Sequence, residues 1–365
     1  MRSRVAMMVV IALSLTTSVT ASAQVTDSNK VVRDQVNETT VFVAGGSLGA
    51  TYNSLANDIG MVTSDDKLRV ISVTTSTGVQ NVRDLVYLRS IDLAFTNVRV
   101  LNGFVATGEL GADLKKQIVY IAPLTTEEAH VLVQPEINSL EDLKGKRVSF
   151  HIAGSSSALA GAFIFKALGI DAKVSNFPQP DAIEKMRQKE LDATVCICPK
   201  IVPAYATLKP EAGFKFLEVP YPPSLEAEFL PSRLTSEDYP NLIAKDKRVQ
   251  TVGMNTILVT LNWPKGSMRY NRNAKFVDAF FSKFQEFLKP PRQSSWKTVN
   301  LAGTVPGWQR FTPAQEWLDR NREQTAAQMR NRFDQFLNEQ TKRGESSTAD
   351  KERLFREFQD WMRRN

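Results

Sequence analysis

The chain alternates short apolar segments rich in β-branched residues with segments of helical periodicity through its first two thirds. Residues 41–43, 68–73 and 91–95 begin this alternation, and residues 147–151 and 192–198 continue it. When a helix separates successive strands, the strands can pair in parallel while the helices cover the sheet. The pattern therefore predicts an α/β fold, and a length of 365 residues is sufficient for two lobes.

Three further segments complete the predicted framework. Residues 118–121 and 130–133 are predicted as two separate strands, and residues 251–260 as a strongly buried one. Several prolines between residues 220 and 231 indicate an irregular connection. Beyond the buried strand, aromatic residues recur at helical spacing and predict one face of a covering helix: Phe276, Phe280, Phe281, Phe284 and Phe287.

The first 23 residues have the pattern of a cleavable secretory signal. Arg2 and Arg4 precede an apolar run over residues 5–15, and Ala21-Ser22-Ala23 fits a cleavage site. The apolar run is shorter than the roughly 20 residues that a membrane span requires. We therefore expect export with cleavage near Ala23, and an uncleaved anchor is the alternative.

Charge and rare residues exclude several function classes. The net charge of +7 comes from basic residues scattered among acidic ones, without a basic run, so no nucleic-acid partner is expected. Two histidines and two cysteines lack zinc-ligand spacing, and no metal or cofactor is expected. Cys196 and Cys198 are predicted as buried thiols at a strand end; a strained disulfide or a metal pair remains open.

Four loops rich in glycine and hydroxyl side chains follow predicted strands. Since ligands of open α/β sheets bind beyond the carboxyl ends of the strands, these loops predict a shared cleft. Helix starts there offer N–H groups to an anion, although the same residue types also serve as plain helix caps. The candidate ligand-binding residues are Ser47, Leu48, Gly49, Ala50, Thr51, Tyr52, Ser76, Thr77, Gly78, Thr96, Asn97, Ser155, Ser156 and Cys198.

No enzyme motif accompanies the loops. The glycine spacing at residues 46–49 is not that of a dinucleotide-binding turn, and no Walker lysine follows. Ser155–Ser157 lie in no nucleophile elbow, and His130 in an apolar strand is interpreted as a core residue. Arg99, just after the third loop, is either an ion partner for the ligand or a surface arginine. No enzymatic activity is predicted.

These motifs resemble the TAXI solute-binding proteins, the extracytoplasmic receptors of one branch of tripartite ATP-independent periplasmic (TRAP) transporters. Residues 46–52 are similar to the family's opening Gly-Thr-Gly-Gly-x-Tyr-Tyr, and residues 75–81 with 92–97 to its Thr-x-Gly-Ser-x-x-Asn and Asp-Leu-Ala-Phe elements. Glu127 with His130 resembles the segment that enters the second lobe. Leu48 replaces a usual glycine and Asn53 a usual proline, so the identity of the ligand is not carried over.

The resemblance implies a two-lobed, periplasmic-binding-protein-like fold of type II that closes on a ligand as a Venus flytrap. It implies a periplasmic receptor for a small organic anion, of the carboxylate or amino acid class, with TRAP membrane permease subunits as partners. The corresponding boundaries are a signal peptide at 1–23, lobe I at 24–126, lobe II at 127–219, and the return connection with completion of lobe I at 220–316. Residues 317–365 form a predicted C-terminal helical extension.

Two amphipathic stripes predict helices in this extension, which either pack back on the body or mediate a partner contact or self-association. Three other functions remain open. An ABC-type binding protein would share the fold and cleft, a periplasmic sensor subunit would signal through the extension, and a secreted hydrolase would use Ser155–Ser157.

Overall fold

The computed structural model describes residues 29–48, 50–210, 213–322 and 330–331. The predicted signal segment, Gly49 of the candidate site and most of the predicted extension lie outside the described residues. Within the described residues, no helix combines the length and the apolarity needed to cross a membrane.

Lobe I begins with a helix, α1 (29–39), that leads into the first strand. Strand β1 (Thr40–Ala44) pairs in parallel with β2 (Arg69–Val73) on one side and with β3 (Leu93–Asn97) on the other. Each strand leads into a helix, as the periodicity predicts. The helices are α2 (Thr51–Thr63), α3 (Gly78–Tyr87), α4 (Val98–Thr107) and the short α5 (Leu114–Gln117).

A single strand of 16 residues, β4 (Ile118–Val133), leaves lobe I and enters lobe II. The prediction of two separate strands here is wrong, because the polar residues between the two apolar runs stay in the sheet. The proline at position 123 lies beside an irregularity in the pairing with the neighbouring strand, where the register shifts between Asn255 and Ile257. Such an irregularity accommodates a residue that has no N–H to donate.

Lobe II repeats the strand–helix pattern around the second half of β4. Its strands are β5 (Arg147–Ser149), β6 (Lys173–Ser175), β7 (Ala193–Cys198), β8 (Lys215–Phe216) and β9 (Leu230–Thr235). Its helices are α6 (Ser156–Ala167), α7 (Gln179–Arg187) and α8 (Pro203–Ala206). Strand β9 lies in the proline-rich segment that predicted only an irregular connection. Of the described strands, it pairs only with the following one, and a proline is tolerated on such an edge.

A second long strand, β10 (Arg248–Leu261), returns from lobe II to lobe I antiparallel to β4. The continuous sheet has the order β2-β1-β3-β10-β4-β7-β5-β6, with β8 on β4 and β9 on β10. Gly253 lies opposite Glu128 near the point where the chain passes between lobes. A Cβ there would lie 2.6 Å from Thr126 Cγ2, so close pairing of the two strands requires glycine.

Lobe I is completed by α9 (Met268–Ser282), α10 (Phe284–Phe287) and α11 (Thr312–Arg320). The phenylalanine stripe is buried against Trp296 and the sheet, which confirms the prediction of a covering helix. Each lobe has two apolar clusters, lobe I around Phe280 and Leu101, and lobe II around Val195 and Tyr239. The predicted α/β fold with two lobes joined by crossing strands is confirmed.

Candidate functional site

A cleft of about 430 Å³ lies where strand ends and helix starts of both lobes face each other. Most of the predicted site residues line it. They are Ser47, Leu48, Ala50, Thr51, Tyr52, Ser76, Thr77, Gly78, Ser155, Ser156 and Cys198.

The lobe I wall is a set of loops at the ends of β1, β2 and β3. Asn81 ties them together, because its side-chain amide donates to the carbonyl oxygens of Phe95 at 2.8 Å and of Ala44 at 3.3 Å. Gly46 permits close packing on α2, since a Cβ there would lie 3.1 Å from the Cβ of Tyr52. Leu48 at the tip is 87% exposed and offers an apolar surface at the mouth of the cleft.

The hydroxyl side chains at the helix starts act as helix caps, which is the alternative that the sequence left open. Thr77 accepts a hydrogen bond from the backbone N–H of Gln80 at 3.1 Å, and Ser155 accepts one from Ala158 at 3.1 Å. Each hydroxyl still has a proton to donate toward the cleft. Thr77 and Ser155 therefore combine a structural role with a place on the wall.

The lobe II wall is more apolar than the opposite wall. It includes Ile152, Ile197 and Val202, together with a series of prolines: Pro178, Pro180, Pro199 and Pro203. His151 also lines the cleft with a left-handed backbone (φ 52°), and burial lowers its pKa below the ordinary value. Its Nδ1 atom is buried and has no hydrogen-bond partner within the described chain.

The base of the cleft contains a buried carboxyl group that the sequence-based site did not include. Glu127, on β4, is 2% exposed and accepts hydrogen bonds from Tyr52 Oη, Thr256 Oγ1 at 2.8 Å and Asn97 Nδ2 at 3.2 Å. Burial raises the pKa of Glu127 to about 7, although these three donors favour its ionised form. Burial, followed by the nearby Glu127, holds the pKa of Tyr52 well above its ordinary value.

Thr96 and Asn97 do not line the cleft, contrary to the prediction. Both are fully buried at the end of β3. Asn97 caps α4 by accepting a hydrogen bond from Val100 N at 3.1 Å, and its amide nitrogen contacts Glu127. Because β3 is an inner strand of the sheet, the side chains at its end are covered rather than open. Asn97 therefore reaches the site only through Glu127.

Arg99 does not line the cleft, and it is not a free surface arginine. Its guanidinium lies 3.0 Å from Glu228 and 4.3 Å from the ring centroid of Phe163, so it joins α4 of lobe I to residues of lobe II. Asn102, one turn further along α4, also donates to Glu228 at 3.0 Å. We call Arg99, Asn102, Phe163 and Glu228 the interlobe clasp.

Cys196 and Cys198 form a disulfide, so the prediction of buried free thiols is wrong and the open alternative of a disulfide is correct. Their Cα atoms are 5.5 Å apart, shorter than the roughly 6.6 Å of two residues along an extended strand. The local shortening at the end of β7 brings the pair close to the most common Cα separation of a disulfide. Both residues line the cleft.

His130 is a core residue, as predicted. It is fully buried and packs against Phe216. Its Nδ1–H donates to Glu128 O at 2.8 Å, so in the neutral ring Nε2 accepts from Tyr239 Oη at 2.8 Å. Burial lowers its pKa to about 4, which keeps the ring neutral. Ser157 is occupied by a hydrogen bond from Ile197 N at 2.8 Å. Among the residues that the structure describes, no group of three or more His, Cys, Asp or Glu side chains could hold a metal.

A family model described as the NMT1-like family matches residues 43–271, well over half of the chain. The matched region runs from β1 into α9 and so contains every described residue that lines the cleft. No curated protein sequence matches the chain.

Solved structures of low sequence identity are also similar. A protein from Bordetella bronchiseptica RB50 is 16% identical with a TM-score of 0.46, over 72% of this chain and 76% of the other. The periplasmic aliphatic sulphonate binding protein SsuA from Escherichia coli is 15% identical with a TM-score of 0.38, over 79% and 77%. A TctC solute binding protein from Polaromonas is 14% identical with a TM-score of 0.39, over 68% and 88%.

Proposed function

This chain belongs to the NMT1-like family, and we propose that it is an extracytoplasmic solute-binding protein that captures a small organic molecule between its lobes. The observation that supports this most is the position of the cleft. Its walls come from both lobes, while the described chain passes between the lobes through β4 and β10. A two-stranded connection permits hinge motion, which would open the cleft for entry and close it on a solute.

The chemistry of the cleft favours capture and release over bond breaking. In the cleft, Thr77 and Ser155 are engaged as helix caps, burial lowers the pKa of His151, and a carboxyl group lies at the base. Within the described part of the chain, no serine of the cleft has a hydrogen bond to a histidine that could activate it as a nucleophile. We therefore favour a binding protein over the secreted hydrolase.

We further propose that the captured solute is delivered to a membrane transporter of the TRAP type, with the protein in the periplasm. The resemblance of residues 46–52, 75–81 and 92–97 to the TAXI proteins supports this assignment. An ABC-type transporter would use the same fold and cleft. The type of permease gene beside the coding gene would distinguish the two classes.

The experiment that tests the proposed function is a solute screen with the mature protein. Dicarboxylates, keto acids, amino acids and amines would be added, and the midpoint of thermal unfolding measured. A solute at 100 times its dissociation constant should raise the midpoint by about 5 °C, because it binds only the folded state. Small-angle X-ray scattering should then show a smaller radius of gyration when the solute closes the lobes.

Two tryptophan variants locate the binding. Ala204→Trp would fill the cleft from α8 and should abolish the thermal shift. Leu159→Trp adds the same side chain to an exposed position of α6 outside the cleft, and should retain the shift. If every solute leaves the midpoint unchanged, or if the shift survives in Ala204→Trp, the proposed function of this cleft is wrong.

A further inference from the structure

We propose that the cleft selects ligands that present a protonated amine to Glu127 and an apolar body to the walls, in preference to ligands whose charged group is a carboxylate. This inference rests on the proposed function and deepens it. It replaces the broad class predicted from the sequence, small organic anions and amino acids, with the amine as the group that is recognised.

The first argument is the charge of the cleft. In the described part of the chain, neither lysine nor arginine lines it, Glu127 is the only lining residue with a carboxyl group, and burial lowers the pKa of His151. Arg99, the cation that the sequence offered, is held by Glu228 in the interlobe clasp. A free carboxylate entering this cleft would meet a buried carboxyl without an opposing cation, which is unfavourable in a site of low dielectric constant.

The second argument is the state of Glu127 itself. An ionised carboxylate has about four lone-pair sites, and the three donors described above occupy two on Oε1 and one on Oε2. The partners of Glu127 are neutral: Tyr52 from α2, Thr256 from β10 and Asn97 from β3. Hydrogen bonds from neutral donors do not cancel a buried charge. An ammonium group would supply both the missing donor and the missing charge.

The third argument is the apolar character of the remaining surface. Leu48 at the mouth is 87% exposed and Ile152 is 37% exposed, although both are large hydrophobic residues. Exposed apolar side chains around a concave site are typical of a surface that a ligand covers. The prolines of lobe II extend the same surface. A ligand with an amine at one end and a hydrocarbon body would satisfy the base and the walls together.

The test uses matched compounds that differ only in the polar group. Butyl, cyclohexylmethyl and 2-phenylethyl bodies would each be supplied as the amine, the alcohol and the carboxylate, and the dissociation constants measured by calorimetry and thermal shift. The amines should bind about tenfold tighter than either counterpart, the difference between a charge-assisted and a neutral hydrogen bond. Tighter binding of the carboxylates, or failure of every amine to bind, would overturn the inference.

Two glutamine variants assign the preference to one residue. Glu127→Gln keeps the size of the side chain and removes its charge, and should abolish the tenfold preference for amines. Glu128→Gln is the matched control, because Glu128 is the next residue on β4, is equally buried and does not line the cleft. It should keep the full preference. A preference that persists in Glu127→Gln contradicts the inference.

The unaltered protein gives an independent readout that needs no variant. Alkylamines stay protonated up to about pH 10, whereas Glu127 ionises with a pKa of about 7. The affinity for amines should therefore rise as pH rises from about 5.5 to 8, by up to about tenfold over the whole range. Affinity for amines that does not change over this range would also overturn the inference.

These outcomes separate the inference from the proposed function. If carboxylates close the lobes and bind more tightly than the matched amines, the protein is a solute-binding protein and only the preference for amines is wrong. If no solute of any kind binds, the proposed function itself is wrong.

Discussion

Two neighbouring glutamates on the first crossing strand show how one residue type serves two purposes. Glu127 faces the cleft and has only neutral partners. Glu128 faces the other side, where it accepts from Lys200 N at 3.2 Å and lies near the Lys200–Asp238 ion pair. Burial raises the pKa of each carboxyl to about 7.

The two glutamates differ in the charged groups around them and not in their pKa values. On the Glu128 side, the cation is part of the protein: attraction to Lys200 favours the ionised form, and Lys200 Nζ also contacts Arg233 O and Asp238 at 3.0 Å. On the Glu127 side, within the described residues, the corresponding cation is missing. Glu128 therefore has a neighbouring cation within the protein, whereas a ligand would supply the cation for Glu127.

The largest predicted effect concerns the pH dependence of stability. A carboxyl whose pKa is 4.5 when unfolded and about 7 when folded binds more protons in the folded state between these values. The free energy of unfolding should therefore fall as pH rises from about 4.5 to 7, by roughly 3 kcal/mol for each carboxyl. Glu127→Gln and Glu128→Gln should each remove about half of this fall, measured by urea unfolding across pH.

A glutamine at the exposed Glu141 serves as the control and should leave the profile unchanged. A saturating amine would then separate the two sides. It should reduce the fall in stability of Glu128→Gln, where Glu127 remains, and should have little effect on Glu127→Gln. Equal responses of the two variants to the amine would contradict the comparison.

The fold could be predicted well from the sequence because it follows from the periodicity of the apolar residues. Alternating strands and helices, and the phenylalanine stripe of α9 and α10, follow from local patterns of burial. The long strand β4 was predicted as two pieces because its central residues are polar, including Glu127 and Glu128. Both glutamates lie where the chain passes between the lobes. Glu127 lies beside the cleft and Glu128 beside an ion pair, and the periodicity of the sequence reveals neither environment.

The candidate site was predicted in part, for the same reason. Residues in loops after strands, such as Ser47, Thr77 and Ser155, could be placed from the rule that ligands bind at strand ends. Glu127 lies inside a strand, and Asn97 lies at the end of a strand that its neighbours cover. The surroundings of these two residues depend on which strands are adjacent. The strand order is a property of the complete sheet, so a local sequence pattern does not reveal it. Two adjacent acidic residues between apolar strand segments were the one local signal.

A smaller effect is expected from the spacing between the crossing strands. Gly253→Ala places a Cβ only 2.6 Å from Thr126 Cγ2, at the position that pairs with Glu128. Overpacking of this kind costs about 1–3 kcal/mol. Thr126→Ser removes that methyl group, so the double variant should regain most of the loss in urea unfolding. If the double variant does not recover, the contact with Thr126 is not the cause of the lost stability. The loss would then come from displacement of β4, the paired strand that carries both glutamates.

The smallest effect on stability is expected at the interlobe clasp, which joins the lobes away from both glutamates. Arg99→Met and Glu228→Gln each break a partly buried ion pair and should lower the free energy of unfolding by about 1 kcal/mol or less. Because the pair joins two lobes that must separate, its loss should favour the open form. Small-angle X-ray scattering of the free protein should show a larger radius of gyration, and solute affinity should fall by the same factor as the closed population.

The matched control is the Arg83–Glu109 pair, 2.7 Å apart and contained within lobe I. Arg83→Met should change stability by a similar small amount and leave the radius of gyration and the affinity as they were. A change of radius in the control as well would mean that loss of a surface charge, and not release of the lobes, is being measured. A double variant of Arg99 and Glu228 that opens no further than either single variant would show that the two side chains act as one contact.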